Sequence, residues 1–162
     1  MVRLIFDCLR APYDWANILQ VALATGKCEI HLTGNSLRHD HPKVLGKVGS
    51  WSKRIRANGL PNLAIHYWPS LQDCAKTLKA QGIRLIGTSP HVKKSFYELD
   101  LSRDNYAIVF GPESSGLVRE KAALLDEIVS LPMSHDLDFM TLSVVVPIVV
   151  YEAVRQGDSV YY

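Results

Sequence analysis

Strand-like and helix-like segments alternate along the whole chain, which predicts an α/β fold: a mostly parallel sheet with helices on both faces. Two further observations support that class. Residues 83–88 and 106–110 are apolar runs without polar alternation, as expected of parallel strands covered on both sides. Internal repeats, low-complexity tracts and linkers are missing, so the 162 residues are expected to form one domain, 1–162.

Taken in order, residues 2–8 read as a buried strand closed by Ala11-Pro12. Residues 15–25 set Trp15, Ile18, Leu19, Ala22 and Leu23 at helical spacing, with Asp14 placed as the N-cap and Gly26 as the stop. A short strand, 29–32, leads into a polar loop over 33–40. A helix is expected over 42–56, although Gly46 and Gly49 count against it. Asn58-Gly59 and Pro61 mark a turn, and 63–67 is the third strand. Ser70 opens a helix running to Gln81 with the spacing Ser70-x-x-Asp73, and Gly82 stops it. After the strands 83–88 and 106–110 come a short helix, 118–125, and a strand, 127–131. In the last segment, 141–156, the β propensity of LSVVVPIVV competes with the helical ending YEAVRQ; length decides for a helix. Pro147 fits if that helix starts near Ser143, because first-turn N–H groups have no intrahelical partner.

Composition narrows the classes. Hydrophobic residues are 48% and charged residues 21%, too apolar for a disordered chain. The longest apolar run, 144–151, is far shorter than the roughly 20 residues of a membrane span. The first residues lack the apolar core and small-residue cleavage site of a secretion signal, so a cytoplasmic protein without membrane association is expected. Cys8, Cys28 and Cys74 are odd in number and form no C-x-x-C pair, which argues against a disulfide framework or structural zinc. They read as small buried hydrophobes in a reducing compartment. His39 and His41 share a polar loop with no third ligand beside them, so no metal is expected.

The net charge of +2 conceals an asymmetry. Residues 1–66 carry nine Lys/Arg against four Asp/Glu; residues 67–162 carry nine against twelve. The basic excess lies in Arg38, Lys43, Lys47, Lys53, Arg54 and Arg56, interleaved with Trp51. Cations for phosphates and a ring for stacking suit RNA binding. The same residues would equally serve as a solvated helix face.

Three loops follow expected strands at their C-terminal ends, where open α/β sheets bind ligands. They are Thr88-Ser89-Pro90, the segment 111–117, and Pro132-Met133-Ser134-His135-Asp136. Gly111 and Gly116 permit close backbone approach, and Ser114 or Ser115 is placed to cap the next helix. The chain has no Gly-x-Gly-x-x-Gly, phosphate-loop or nucleophile-elbow pattern, which leaves nucleoside-triphosphate, NAD and hydrolase readings without support.

Together, VFGPESSGL (109–117), LPM (131–133) and TLS (141–143) leading into VVYEAVRQ (149–156) resemble the motif series of the SPOUT superfamily. More narrowly they resemble the TrmH/SpoU group of RNA 2′-O-ribose methyltransferases, and in size the small TrmL-like tRNA enzymes of that group. The likeness covers nearly the whole chain: 11–32 resemble the first motif, 106–156 the second and third, and 33–62 match poorly. It implies an enzyme that uses S-adenosylmethionine (AdoMet) on tRNA or rRNA and works as a homodimer. It also implies a C-terminal third threaded as a deep trefoil knot, an exception to the usual absence of knots. AdoMet would sit bent among the three loops, its adenine held by main-chain groups near Thr88, Gly111 and Leu131. Met133, Phe139 and Leu142 would form apolar walls.

The implied chemistry needs no metal. A ribose 2′-OH attacks the AdoMet methyl in line, and something must help the hydroxyl lose its proton. The family assigns that help to a motif-one Arg, supported by a motif-two Glu and a motif-three Asn and Ser. Glu113 and Ser143 match that Glu and Ser, and Asn17 matches a motif-one Asn. Gln20 stands where the Arg is expected, Asp14 where the segment's first Asn is usual, and Thr141 where the motif-three Asn is usual. Gln supplies neither a charge nor a guanidinium fork. Two expectations follow. One is an active enzyme that takes a cation from Arg38 or a second protomer; the other is a relative that binds AdoMet or RNA without methyl transfer. His135 and Asp136 read as loop surface, although a His there could act as a base near neutral pH.

Overall fold

The computed structural model describes residues 1–103, 105–112 and 114–157. Its strands are β1 (Val2–Asp7), β2 (Cys28–Thr33), β3 (Ala64–Trp68), β4 (Arg84–Thr88), β5 (Tyr106–Phe110) and β6 (Glu127–Val129). Its helices are α1 (Pro12–Thr25), α2 (Pro42–Trp51), α3 (Lys53–Asn58), α4 (Leu71–Ala80), α5 (Arg119–Ala122) and α6 (Leu142–Gly157), with a 3-10 turn at Phe96–Glu98. The strands form one six-stranded sheet in the order β3-β2-β1-β5-β4-β6, and every pairing is parallel. The order runs outward from β1 to β3, then restarts on the other side of β1. That reversal puts a topological switch point between β1 and β5.

Side chains alternate across the sheet and sort into two cores. On one face Leu4, Phe6, Ile30, Leu32, Ile108 and Phe110 pack with Trp15 and Leu19 of α1, Val44 and Val48 of α2, and Val146 and Val150 of α6. Phe6 and Phe110 stack with ring centroids 5.1 Å apart, tying β1 to β5 through this core. On the other face Ile5, Leu85, Ala107 and Val109 lie under Leu71, Cys74 and Leu78 of α4, with Leu117, Leu124 and Leu125 at the margin.

Several expected boundaries shift, each for a local reason. Asp14 is not the N-cap of α1. Pro12, whose φ is fixed and which has no N–H to satisfy, takes the first helical position behind an extended Ala11 that makes no side-chain cap. Asp14 then sits in the first turn, where its negative charge interacts favourably with the positive end of the helix dipole. Gly26 ends α1 in the left-handed conformation, its N–H on the Ala22 carbonyl. The helix expected over 42–56 breaks in two. Ser52 is extended, closes α2, and its side chain accepts from Ile55 N to start α3. Ser70 caps α4 as expected.

Only residues 119–122 of the expected helix 118–125 are helical, and Val118 precedes them, so neither Ser114 nor Ser115 caps it. β6 ends at Val129 because Ser130 turns away to bridge Ser95. Ser130 N donates to Lys94 O at 2.8 Å, and Phe96 N donates to Ser130 O at 2.7 Å. α6 begins at Leu142, with Val144 N and Val145 N on the Thr141 carbonyl, so Pro147 lies in the second turn and not the first. Its missing N–H removes the intrahelical bond to the Ser143 carbonyl.

Cys28 and Cys74 are buried, and burial pushes the Cys74 thiol up to about 12. Cys8 departs from the buried-hydrophobe expectation: it is half-buried and takes a φ of 57° where the chain leaves β1.

Candidate functional site

The sheet order makes β5, β4 and β6 neighbours, so the loops leaving their C-terminal ends emerge side by side. Hydrogen bonds lace these ends together. Thr88 Oγ1 donates to the Val109 carbonyl at 3.2 Å, and Ser89 N donates to the Val129 carbonyl at 3.0 Å. Beyond β5 the chain folds back on itself, Gly116 N reaching the Pro112 carbonyl at 2.8 Å with Gly116 at φ 62°. A Cβ on Gly111 would stand 2.5 Å from Gly116 C and 2.6 Å from Leu117 N. Backbone therefore presses on backbone, and only glycine fits. Leu117 turns under β4, where a Cβ on Gly87 would meet Leu117 Cδ1 at 2.8 Å and Leu125 Cδ1 at 2.5 Å.

Thr88, Gly111 and Leu131, read from the sequence as adenine-holding positions, thus sit on or just beyond three adjacent strands. Met133 and Leu142 are half-buried, and Leu131 and Leu142 pack against the core. Phe139 is 64% exposed in the single chain, beside a 62% exposed Leu137. Glu113 lies outside the described residues.

The remaining catalytic candidates fall on two helices of one layer. Asn17 and Gln20 are one turn apart on α1, the first half-buried and the second exposed. α6 packs along α1, and at its start the hydroxyls of Thr141 and Ser143 are 3.0 Å apart. His135 and Asp136 are exposed, as their loop-surface reading expected. Arg38 does not join this group. Its guanidinium grips Asp40 at 3.1 and 3.2 Å and lies 4.8 Å from the centroid of the Tyr67 ring on β3. β3 is three strand spacings from β5, or about 14 Å.

Two polar clusters escaped the sequence. At the switch point, buried Asp7 accepts from Thr33 Oγ1 at 2.8 Å and from Lys121 Nζ on α5. The Asp7 hydrogen bond holds the Lys121 ammonium above its ordinary pKa. The second cluster is Glu29, His31 and His66, whose ligand-type atoms lie within 4.8 Å of one another. His31 faces His66 across the β2–β3 register, and their rings stack at 4.8 Å.

That second set suits a cation poorly. Trp68 Nε1 donates to His31 Nδ1 at 3.1 Å and so uses the ring's one lone pair. The other nitrogen, buried and 3.5 Å from Glu29 Oε1, then carries the proton. Glu29 is paired to Arg3 at 3.0 Å. The period-2 spacing of Glu29 and His31 was readable as one strand face, but the arrival of His66 and Trp68 needs the strand order.

The basic residues are carried by α2 and α3, apart from Arg38 in the preceding loop. Lys43, Lys47, Lys53, Arg54 and Arg56 are all exposed, and Lys47 Nζ sits 5.3 Å from the centroid of the Trp51 ring.

Comparison with known proteins places this arrangement. The chain is similar to a 23S rRNA (guanosine-2′-O-)-methyltransferase, RlmB, of Xanthomonas campestris pv. campestris, with 29% identity over 94% of this chain and 58% of that protein. It therefore spans well under two thirds of that relative. Among solved structures, one concerned with 2-OH methylation of C/U34 on tRNA matches at 28% identity and TM-score 0.75, covering 96% of this chain and 95% of the other. The SpoU methyltransferase AviRb of Streptomyces viridochromogenes, solved with AdoMet, matches at 25% identity and TM-score 0.76, covering 96% of this chain and 60% of the other. The model of the SpoU rRNA Methylase family matches residues 1–151, nearly all of the sheet and the helices that cover it, and the chain belongs to that family.

Proposed function

We propose that this chain is an AdoMet-dependent RNA 2′-O-ribose methyltransferase that acts on tRNA or rRNA as a homodimer in the cytoplasm. The observation that carries the reading is the meeting of the β4, β5 and β6 ends, laced by Thr88 and Ser89 and floored by a glycine that admits no side chain. Main-chain donors and acceptors at such a place suit the edge of an adenine, and Met133 and Leu142 supply apolar cover. AdoMet would bring an electrophilic methyl on a sulfonium. The chain's own part is to orient a ribose hydroxyl, for which the Thr141–Ser143 hydroxyl pair and Asn17 offer hydrogen bonds, and to accept its proton, for which the carboxylate of Glu113 in the sequence 111–117 is the basic group among the candidates.

The knot belongs to this reading and rests on resemblance, supported by the passage of Ser130 against Lys94, Ser95 and Phe96. Dimerisation is supported by an apolar stripe on α6: Val144, Ile148 and Tyr151 are 48%, 36% and 55% exposed and share one helix face. No helix among the described residues is long and apolar enough to cross a membrane.

The test is calorimetric titration of the purified chain with AdoMet, followed by transfer of labelled methyl to tRNA and rRNA, with the product digested to nucleosides. Micromolar-range binding and a 2′-O-methylated nucleoside are expected, with turnover reduced in Ser143→Ala. AdoMet binding with no labelled RNA of any kind would defeat the catalytic reading. One observation favours a binding-only relative as the second reading: Gln20 replaces the expected cation, while Arg38 is held by Asp40. Activity that appears only in Gln20→Arg would decide for that reading. Robust activity in the natural sequence would end it.

A further inference from the structure

A groove of about 490 Å³ runs between α2 and α3, lined by Leu45, Gly46, Gly49, Ile55, Arg56 and Leu60 among others. Its volume is in the range of small-ligand sites, about 300–1,000 Å³. None of the loops after β4, β5 or β6 contributes to it. Its walls are aliphatic. At Gly46 an added Cβ would meet nothing within 4 Å, so that glycine leaves open space and not a close contact. At one end the Arg56 guanidinium is fixed by an Nε hydrogen bond to the Gly49 carbonyl at 3.1 Å. Arg56 and Ser50 are the polar side chains of the lining. Nearby Trp51 is 39% exposed, with the Lys47 ammonium over its ring.

The electrostatics of the segment are one-sided. From residue 41 to residue 72 the chain carries five cations, Lys43, Lys47, Lys53, Arg54 and Arg56, and no carboxylate. A second copy of the chain would bring the same five cations to an isologous contact, which like-charge repulsion opposes. An apolar slot with a guanidinium beside it, on a segment whose charged side chains are all cationic, fits a flat heterocycle attached to a phosphate chain.

We infer that the α2–α3 groove is a second RNA-contact site, distinct from the strand-end loops, which takes one unstacked base of a single-stranded segment. The flanking phosphates are held by Lys43, Lys47, Lys53 and Arg54. The inference rests on the RNA reading above and adds where, and in what form, the RNA is held. The base is held by burial against aliphatic walls, so its loss should weaken binding on the order of 10-fold.

The experiment measures fluorescence anisotropy of the full chain with a short single-stranded oligouridylate and with an abasic ribose-phosphate oligomer of equal length, over a range of salt. Two variants accompany the natural sequence. Gly46→Leu fills the groove, leaves every charge in place and improves helix propensity, so its melting temperature should equal or exceed that of the natural chain. It should lose about 10-fold in affinity for oligouridylate, shrink the base-to-abasic ratio toward one, and keep the salt slope. Lys47→Gln combined with Lys53→Gln should instead preserve that ratio and reduce the slope by about 1.4, two phosphate contacts' worth for a single strand. A Gly46→Leu protein that discriminates base from abasic as the natural chain does would overturn the groove site while leaving RNA binding intact. A Gly46→Leu protein with an altered oligomeric mass would overturn it in favour of a contact between copies. A natural chain that binds neither oligomer nor any tRNA or rRNA would defeat the RNA reading itself.

Discussion

The loop at the end of β5 is built by backbone pressed on backbone, whereas α2 and α3 hold their functional groups on an open surface. Glycine marks the difference. At Gly111 an added methyl would meet main-chain atoms at 2.5 and 2.6 Å, while at Gly46 it would meet nothing within 4 Å. One residue type is therefore a packing necessity in one region and a helix-weakening vacancy in the other. The comparison teaches that the strand-end site is specified by shape, which tolerates few substitutions. The basic helices are specified by charge and open volume, which many sequences satisfy.

The largest expected effect is in the first region. Gly111→Ala overpacks a place where neither neighbour is a side chain that can turn away, so destabilisation of about 3 kcal/mol or more is expected. Affinity for AdoMet should fall at least about 100-fold, the equivalent of some 2.7 kcal/mol. Urea unfolding and calorimetric titration check both quantities. The control is Gly87→Ala, whose close neighbours are the Leu125 and Leu117 methyls and not backbone, and it should be milder. Equal damage from the two would break the distinction between backbone and side-chain contact.

The second effect separates buried polar groups from the exposed cations of α2 and α3. Burial pushes the His31 imidazole down to about 4; neighbouring Glu29 opposes that shift, while His66 and Arg3 add to it. Folded, the ring is neutral down to that value; unfolded, it takes up a proton below about 6.5. The native state therefore binds fewer protons in this window. Stability from this source is complete above pH 6.5 and declines as pH falls toward 4, by roughly 3 kcal/mol at most. Urea midpoints measured from pH 7.5 to 4.5 should fall in the natural chain and flatten in His31→Gln. Parallel curves for the two proteins would remove His31 as the cause.

A smaller effect belongs to the switch point. Lys121→Met leaves Asp7, only 3% exposed, with Thr33 but without its cation. Breaking a fully buried pair costs about 3–5 kcal/mol, and the partial exposure of Lys121 reduces this to about 2 kcal/mol. The raised Lys121 pKa fixes the sign with pH: its contribution is full below about pH 10 and fades as pH rises through the folded value. Adding Asp7→Asn should restore most of the loss in a double-mutant cycle. Strict additivity of the two single changes would show that the pair is not coupled.

How much of this was legible depends on how local each feature is. The apolar runs of β1, β2 and β5 and the stops at Gly26 and Gly82 are properties of short segments, and they emerged where expected. The break at Ser52 was written in the sequence as a Ser placed three residues before Ile55, but helix-compatible neighbours on both sides masked it. The N-cap expected at Asp14 failed because Pro12 outranks a downstream carboxylate at a helix start. The strand-end loops could be named from their motifs, yet their adjacency depends on the order β5-β4-β6, which no single segment encodes. The ion pair between Asp7 and Lys121 spans 114 residues, and the meeting of His31 with Trp68 spans 37. Such contacts are consequences of the fold and carry no local signal.

The smallest effect is also the sharpest test of the opening contrast, because it applies the Gly111 substitution to the other region. Gly46 lies inside α2, between Pro42 and Trp51, where glycine is less favourable than alanine by about 1 kcal/mol. The new methyl would project into the open groove and meet no atom. Gly46→Ala is therefore expected to stabilise the chain by about 0.5–1 kcal/mol, partly by restricting the unfolded state. A single methyl fills far less of the groove than the leucine side chain, so RNA affinity should change by less than about 3-fold, or 0.7 kcal/mol. Thermal unfolding and anisotropy at one salt concentration check the pair of expectations. A destabilised Gly46→Ala would mean that α2 and α3 are packed as closely as the strand ends, and the two regions would then differ only in charge.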